Sequence, residues 1–387
     1  MRKLSIAVLL SGREQFSVYY GGAVARWTYE VYSRLQDHVD VRVFGFPTDP
    51  QSAYPLTFES SAWWRACALM SRVPLVRRFE DDFWLRAVLP RLHRVEVVHI
   101  HNRPQWATVL RRLGYIGTVI VHLHNDHLGH WSTAMLDALA PDLDGLVACS
   151  SYLRSVSIGK SVALGVKARV VFNGVNTDLF FPQERSREPK TIFFVGSFIP
   201  AKGPLQLVEA YSRVLRAHAD AKLIIGGSTT FGSHEETEYV KSVRQLAASI
   251  EKEHHVSIEF PGYIHHDREL PAFFQRATLF SSPSIFQEPF GLVNVEAMAC
   301  ATPVVGSKRG GIPEALADTG RLVDPEDIAQ YSEALSELLS DSEERQRLGR
   351  ATLERCRRMF DWNVIAKTWM DYLQDMTGKK LRAIECA

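Results

Sequence analysis

Short, nearly unbroken apolar runs rich in β-branched residues recur at 4–10, 39–46, 95–101, 118–124, 145–150 and 169–175, and again at 191–198, 222–227, 256–262, 278–284, 302–307 and 321–325. Runs of this length without polar alternation predict strands buried on both faces. Between them the apolar spacing turns helical, most clearly at 22–37, 204–218, 236–253, 327–339 and 342–358. Strands that alternate with helices predict doubly wound parallel sheets. The two groups of six strands are parted by PQERSREPK, 182–190, which is charged, framed by Pro182 and Pro189, and reads as a linker. The pattern therefore predicts an α/β chain of two Rossmann-like domains, 1–182 and 183–360, facing a central cleft. Open parallel sheets bind ligands just beyond the carboxyl ends of their strands, so candidate chemistry is sought there.

After the first strand comes SGREQFSVYYGG, and a helix begins near Gly22. Gly21 and Gly22, with Tyr20 before them, let a ligand approach the backbone and its helix-terminal amides, which suits a phosphate or a sugar; a plain tight turn is the alternative. No G-x-G-x-x-G follows an early strand, which counts against a dehydrogenase. The third strand ends in His101, Asn102 and Arg103, and the fourth in His124, Asn125 and Asp126 within VHLHNDHLGH. A polar cluster at this edge suits a ligand hydroxyl; zinc is the weaker reading, because no carboxylate–histidine framework recurs elsewhere.

In the second half, Gly196 and Ser197 end a strand and Lys202 opens the next helix, where a cation and helix amides favour a diphosphate. The stretch EPFGLVNVEAMACATPVV, 288–305, carries Glu288 and Glu296 eight apart around a helix start. The amides of Phe290, Gly291 and Leu292 are placed to meet phosphate oxygens. Glu296, deeper in the helix, is placed to take both hydroxyls of a ribose, and Glu288 those of an attached sugar.

At these residues the sequence resembles the retaining GT-B glycosyltransferases of family 4. The resemblance covers nearly the whole chain; it is most specific at E-P-F-G-L-x(3)-E-A-M-A, Glu288 to Ala299, with support from VVFNGVNTDLFFP (170–182), LPAFFQRATLFSSPS (270–284), GGIPE (310–314) and FDWNVIAKTWMDYL (360–373). It implies a GT-B fold whose last helix, 361–387, crosses back to the first domain. It implies that Glu296 binds ribose, that Glu288 with the Phe290–Leu292 backbone faces the donor sugar and phosphates, and that Lys202 binds the diphosphate. It further places His124 beside the reacting sugar, Gly22 by the phosphates and acceptor, and Tyr263 near the base. The family usually has Arg where Ser197 stands, so that one diphosphate contact is either missing or supplied elsewhere, with Arg103 and Lys308 the candidates. The implied activity is metal-independent, cofactor-free, retaining transfer of a hexose-type sugar from a nucleoside-diphosphate sugar, with UDP favoured and GDP-mannose the alternative donor. The implied acceptor is a hydroxyl of a glycan or lipid-linked precursor of the cell envelope. Other readings are a metal-dependent transferase using Asp142-Leu143-Asp144, a sugar-nucleotide epimerase or phosphorylase of the same fold, and a non-catalytic nucleotide-sugar binder.

Composition changes this picture in one place. A length of 387 residues, 46% hydrophobic and 23% charged content, and a net charge of +1 describe an ordinary globular chain with no global affinity for nucleic acid. Residues 61–112, however, hold ten Arg against four acids. Within 60–94 these interleave with Trp63, Trp64 and Trp84, a pattern suited to an anionic membrane surface or to two ordinary helices with solvated arginines. Five cysteines without a C-x-x-C indicate neither a zinc cage nor a disulfide framework, and Cys149 and Cys300 read as core residues. The opening MRKLSIAVLLSG reads as a buried strand instead of a signal peptide, so a cytoplasmic protein is expected.

Overall fold

A computed structural model describes residues 2–10, 14–18, 21–46, 48–49, 51–60, 80–183, 187–229 and 237–381. The chain forms two units, one reaching to Asn173 and resuming at Trp362, the other spanning Gly174–Asp361.

The first unit contains, in chain order, β1 (Leu4–Leu9), α1 (Ala23–Arg34), β2 (Val39–Gly45), β3 (Phe58–Ser60), α2 (Glu80–Leu92), β4 (Val97–His101), α3 (Gln105–Arg112), β5 (Thr118–Leu123), α4 (Thr133–Leu139), β6 (Gly145–Ala148), α5 (Ser151–Ile158), α6 (Val162–Gly165) and β7 (Ala168–Val170). Its sheet runs β3-β2-β1-β4-β5-β6-β7, parallel throughout. β1 and β4 are buried on both faces, as their unbroken apolar runs require. β3 is absent from the sequence reading because Phe-Glu-Ser is too short and too polar to register as an apolar run.

The second unit contains β8 (Thr191–Val195), α7 (Pro204–Val214), β9 (Lys222–Gly226), α8 (Glu238–His254), β10 (Ile258–Gly262), α9 (Leu270–Arg276), β11 (Leu279–Ser282), α10 (Leu292–Ala299), β12 (Val304–Ser307), α11 (Ile312–Leu316), β13 (Arg321–Val323), α12 (Ile328–Ser340) and α13 (Ser342–Met359). Its sheet order is β10-β9-β8-β11-β12-β13, again parallel. β8 therefore has its successor β9 on one side and β11 on the other, and the loops leaving β8 and β11 part at the switch point where such sheets bind ligands.

A last helix, α14 (Trp362–Thr377), belongs to the first unit and sends Trp362, Ile365, Trp369, Met370 and Leu373 into the same core as Leu4, Ile6 and Trp27.

The stretch 182–190 is not a free linker. Chain exchange falls at 173/174, and Val175 already pairs with Asp361 inside the second unit. Gln275 donates to the Phe181 carbonyl at 2.8 Å, and the Arg187 guanidinium donates to the carbonyls of Phe274, Ala277 and Cys300 at 2.8–2.9 Å. A guanidinium satisfied by carbonyls is a structural group, although a charged composition reads as solvent-exposed. Cys149, Cys300 and Cys356 are buried, and none is in a disulfide. Among the described residues no helix is long and apolar enough to cross a membrane.

Candidate functional site

In the second unit, the loops after β8 and β11 bring Lys202 and Glu288 into direct contact. Ser284 Oγ lies 3.1 Å from Glu288 Oε1, and the Glu288 carbonyl accepts from the Gly311 amide at 2.7 Å. The backbone around Glu288 is further pinned by Gly310, whose φ of +66° favours glycine and whose hypothetical Cβ would stand 2.2 Å from the Glu288 carbonyl oxygen. The carboxylate is mostly buried while the ammonium is a third exposed, so the cation is the more mobile partner.

α10 starts at Leu292, beside the glycine of the Pro-Phe-Gly turn. Gly291 is its N-cap with φ +84°, a left-handed turn that suits glycine, and no side chain caps the helix. An uncapped N-terminus carries amides and partial positive charge that favour an anion. Phe290 has a structural role: it is 2% exposed and its ring stands edge-on to Phe360. Glu296 lies within α10 at 5% exposure; its Oε1 is 2.7 Å from His266 Nε2, and its Oε2 is buried without a partner among the described residues. His266, in the loop after β10, has no counterpart in the sequence reading. Tyr263 in the same loop packs on His265. Gly196 and Ser197 follow β8, and the amide of Gly196 donates to the Gly226 carbonyl, tying that turn to β9. Of the two cations weighed as substitutes for the missing arginine, Lys308 is paired with Asp324 at 3.4 Å.

The first unit gathers a different cluster. His99, His101, His122 and His124 share one face at adjoining positions of β4 and β5, His101 opposite His122. Trp27 of α1 stands edge-on to all four rings, and Trp369 of α14 lies at 31° to His99 and 19° to His122. Burial pushes all four imidazoles well below the ordinary histidine range, His124 to about 3. His124 Nδ1 is 3.2 Å from Asn173 Oδ1, and its Nε2 is 2.9 Å from His101 Nδ1. An oxygen acceptor puts the proton on Nδ1, so Nε2 accepts from His101. Both nitrogens expected to face a sugar are thus engaged within the unit. Trp369 Nε1 donates to Tyr32 Oη, which bonds His99 Nδ1 at 2.9 Å. His99 Nε2 and both His122 nitrogens have no partner among the described residues. Nitrogens of His99, His101 and His122 lie within 4.8 Å of one another, a spacing that admits a metal ion. The rings, however, stack at 19–47° and do not aim their edges at one centre.

The other first-unit candidates hold structure. Asn102 sits at φ +55° and its Oδ1 accepts from the His124 amide at 2.7 Å. Asp126 accepts from the Gly129 amide and from Ser157 Oγ at 2.7 and 2.8 Å. Arg103 buries its Nε, and Asn125 is exposed. Gly21 and Gly22 precede α1, but the Gly22 and Ala25 amides donate to Glu14 Oε1 at 2.9 and 3.2 Å. A carboxylate already occupies the position expected for a phosphate or sugar, and burial raises its pKa against the pull of those amides. Glu14 escaped the sequence reading because it reaches the start of α1 from eight residues upstream in the same connection, beyond the usual capping positions. Tyr20 lies outside the described residues. Asp144 accepts from Arg111 and from the Val119 amide, both at 2.7 Å, and Asp142 from Thr108, so the Asp-x-Asp pair ties its own segment to α3 and β5. In the basic segment, 61–79 lie outside the described residues; Trp84 is buried against Trp106, centroids 4.8 Å apart, instead of facing a membrane.

Comparison with known proteins agrees with this two-unit arrangement. Residues 175–355 match the family Glycosyl transferases group 1, and residues 20–179 match Glycosyltransferase Family 4. Spore coat protein SA of Bacillus subtilis is 29% identical over 310 residues, covering 74% of this chain and 81% of that protein. The alpha-maltose-1-phosphate synthase of Mycolicibacterium smegmatis is 33% identical over 256 residues, 61% of this chain and 64% of that one. Among solved structures, Anabaena Alr3699/HepE in complex with UDP superposes with a TM-score of 0.74 at 20% identity, covering 96% of this chain and 100% of that one. A glycosyltransferase from Rickettsia africae reaches 0.77 at 17% identity, covering 98% and 100%. The chain is a glycosyltransferase of the GT-B fold and belongs to group 1, family 4.

Proposed function

We propose that the protein transfers a hexose-type sugar from a nucleoside-diphosphate sugar to a hydroxyl acceptor, with retained anomeric configuration and without a metal. The observation that carries this reading is the Lys202–Glu288 pair beside the uncapped start of α10, with Glu296 farther along the same helix. The ammonium and the carboxylate neutralise each other where they meet. A diphosphate offers Lys202 a stronger partner at an electropositive helix end, and Glu288 is then released to accept sugar hydroxyls. As the glycosidic bond breaks, positive charge gathers on the sugar and negative charge on the leaving diphosphate. Lys202 and the α10 amides stabilise that developing charge more than the ground state, which is the condition for catalysis. The leaving phosphate is expected to help deprotonate the acceptor on the same face. The donor is expected to be a UDP-sugar, with GDP-mannose the alternative; solved neighbours hold UDP or UDP-glucose. The acceptor is expected to be a glycan or lipid-linked envelope precursor, and liposome flotation tests whether 60–94 contacts an anionic surface.

Glu288→Ala tests the assignment: transfer falls by at least about a hundredfold while the circular dichroism spectrum is unchanged. Near-wild-type turnover removes Glu288 from the site. The metal-dependent alternative predicts loss of activity in excess chelator; the reading above predicts full activity there. Anomeric configuration of the product, read by NMR, tests retention.

A further inference from the structure

His266 bridges two carboxylates. Its Nε2 is 2.7 Å from Glu296 Oε1 and its Nδ1 is 2.5 Å from Asp267 Oδ1. Both ring nitrogens therefore lie at hydrogen-bond distance from a carboxylate oxygen. The edge of the contact is closed by Phe180, whose ring stands at 67° to the imidazole with centroids 5.1 Å apart. Glu296 is thereby tied through one oxygen to a ring that is itself held from behind. Its other oxygen, Oε2, is buried and has no partner among the described residues. A buried carboxylate oxygen left unmatched is costly unless a ligand donor completes it.

We propose that His266 is a positioning residue for Glu296. It fixes the carboxylate so that the group discriminates ribose from deoxyribose in the nucleotide. This rests on the reading that Glu296 meets the ribose. Donation from a ligand hydroxyl to an oriented carboxylate is a charge-assisted bond, whereas a carboxylate free to rotate spends part of that bond on ordering. The deoxy analogue lacks the hydroxyl and gains nothing from the orientation.

The test is calorimetric titration of the full-length protein with UDP, GDP and their deoxyribose analogues. The wild type is expected to favour the ribonucleotide by about tenfold or more, the size of a hydrogen bond to a charged group. His266→Ala is expected to lose most of that preference while its affinity for the deoxy analogue stays within about twofold. His266→Gln, which keeps one donor toward Glu296, is expected to retain part of it, and this rescue separates positioning from simple packing. Glu296→Gln is the control for the underlying reading. If Glu296→Gln loses the preference and His266→Ala keeps it, the proposal fails and the reading stands. If Glu296→Gln keeps the preference, the reading fails. Tighter binding of the ribonucleotide by His266→Ala also overturns the proposal, since the ring would then be a competitor for the carboxylate. Failure of both nucleotides to bind overturns both.

Discussion

Four imidazoles buried in the first unit make an acid-labile core at the level of single residues. Each is held neutral by burial, so its folded pKa lies below the unfolded value near 6.5. Below about pH 6.5 the unfolded chain binds protons that the folded chain refuses, so the stabilisation is complete above that value and is lost as the pH falls toward the folded pKa. One such histidine costs up to about 1.4 kcal/mol per pH unit in that window. The urea midpoint of the first unit is therefore expected to fall between about pH 7 and pH 5 with a slope steeper than one proton; a flat profile contradicts the neutral stack. His122→Phe keeps a ring against Trp27 and removes two unpartnered nitrogens. It is expected to raise stability at neutral pH by about 1 kcal/mol and to make the acid slope shallower. The sequence places these histidines on two strands and exposes their shared face by period-two spacing. It does not show that α1 and α14 bring Trp27 and Trp369 against them, because these contacts join positions far apart in the chain, 72 residues for Trp27 with His99 and 270 for Trp369 with His99. A ligand grip and a buried ring stack therefore look alike in the sequence, as do a free glycine turn and one already capped by Glu14.

Secondary-structure elements were legible where burial dictated composition. Strands such as β1, β4, β5 and β8 are buried on both faces and announce themselves as unbroken apolar runs. Edge strand β3 needs no such run, and Arg187 shows the converse, a charged segment folded in by carbonyl acceptors. α14 supplies several large side chains to the core of the first unit. Trp369 is fully buried and touches Trp27, Tyr32, His99 and Tyr372. Trp369→Ala is expected to destabilise that unit by about 3–5 kcal/mol, read as a lowered denaturant midpoint. It should also expose the histidines to water and raise their titration toward ordinary values in histidine NMR. In the second unit, Gly310→Ala would drive a Cβ into the Glu288 backbone. It is expected to reduce turnover by tenfold or more, on the order of the effects of small displacements of reacting groups, although Gly310 touches no substrate in the proposed mechanism. Wild-type kinetics in Gly310→Ala would show that the turn tolerates the shift.

The molecule as a whole divides its labour by unit, and that division carries a test on the intact chain. Lys202, Tyr263, Glu288, the start of α10 and Glu296 all fall within Gly174–Asp361, whereas the histidine stack and Glu14 fall in the other unit. The two family matches divide near the same point, at 175 and 179. A nucleoside diphosphate that binds only the folded second unit stabilises it by mass action, by about 2.7 kcal/mol at a hundred times its dissociation constant. Hydrogen exchange on the full-length protein is then expected to slow in 196–203, 263–266 and 288–299 on addition of UDP or GDP, because the proposed donor site draws on those segments. The amides opening α10 should show the largest change, since no side chain caps them. The Gly22 and Ala25 amides already donate to Glu14, so they should change little with nucleotide alone. Protection confined to the first unit, with 288–299 unaffected, would place the diphosphate elsewhere and undo the role assigned to Lys202 and Glu288.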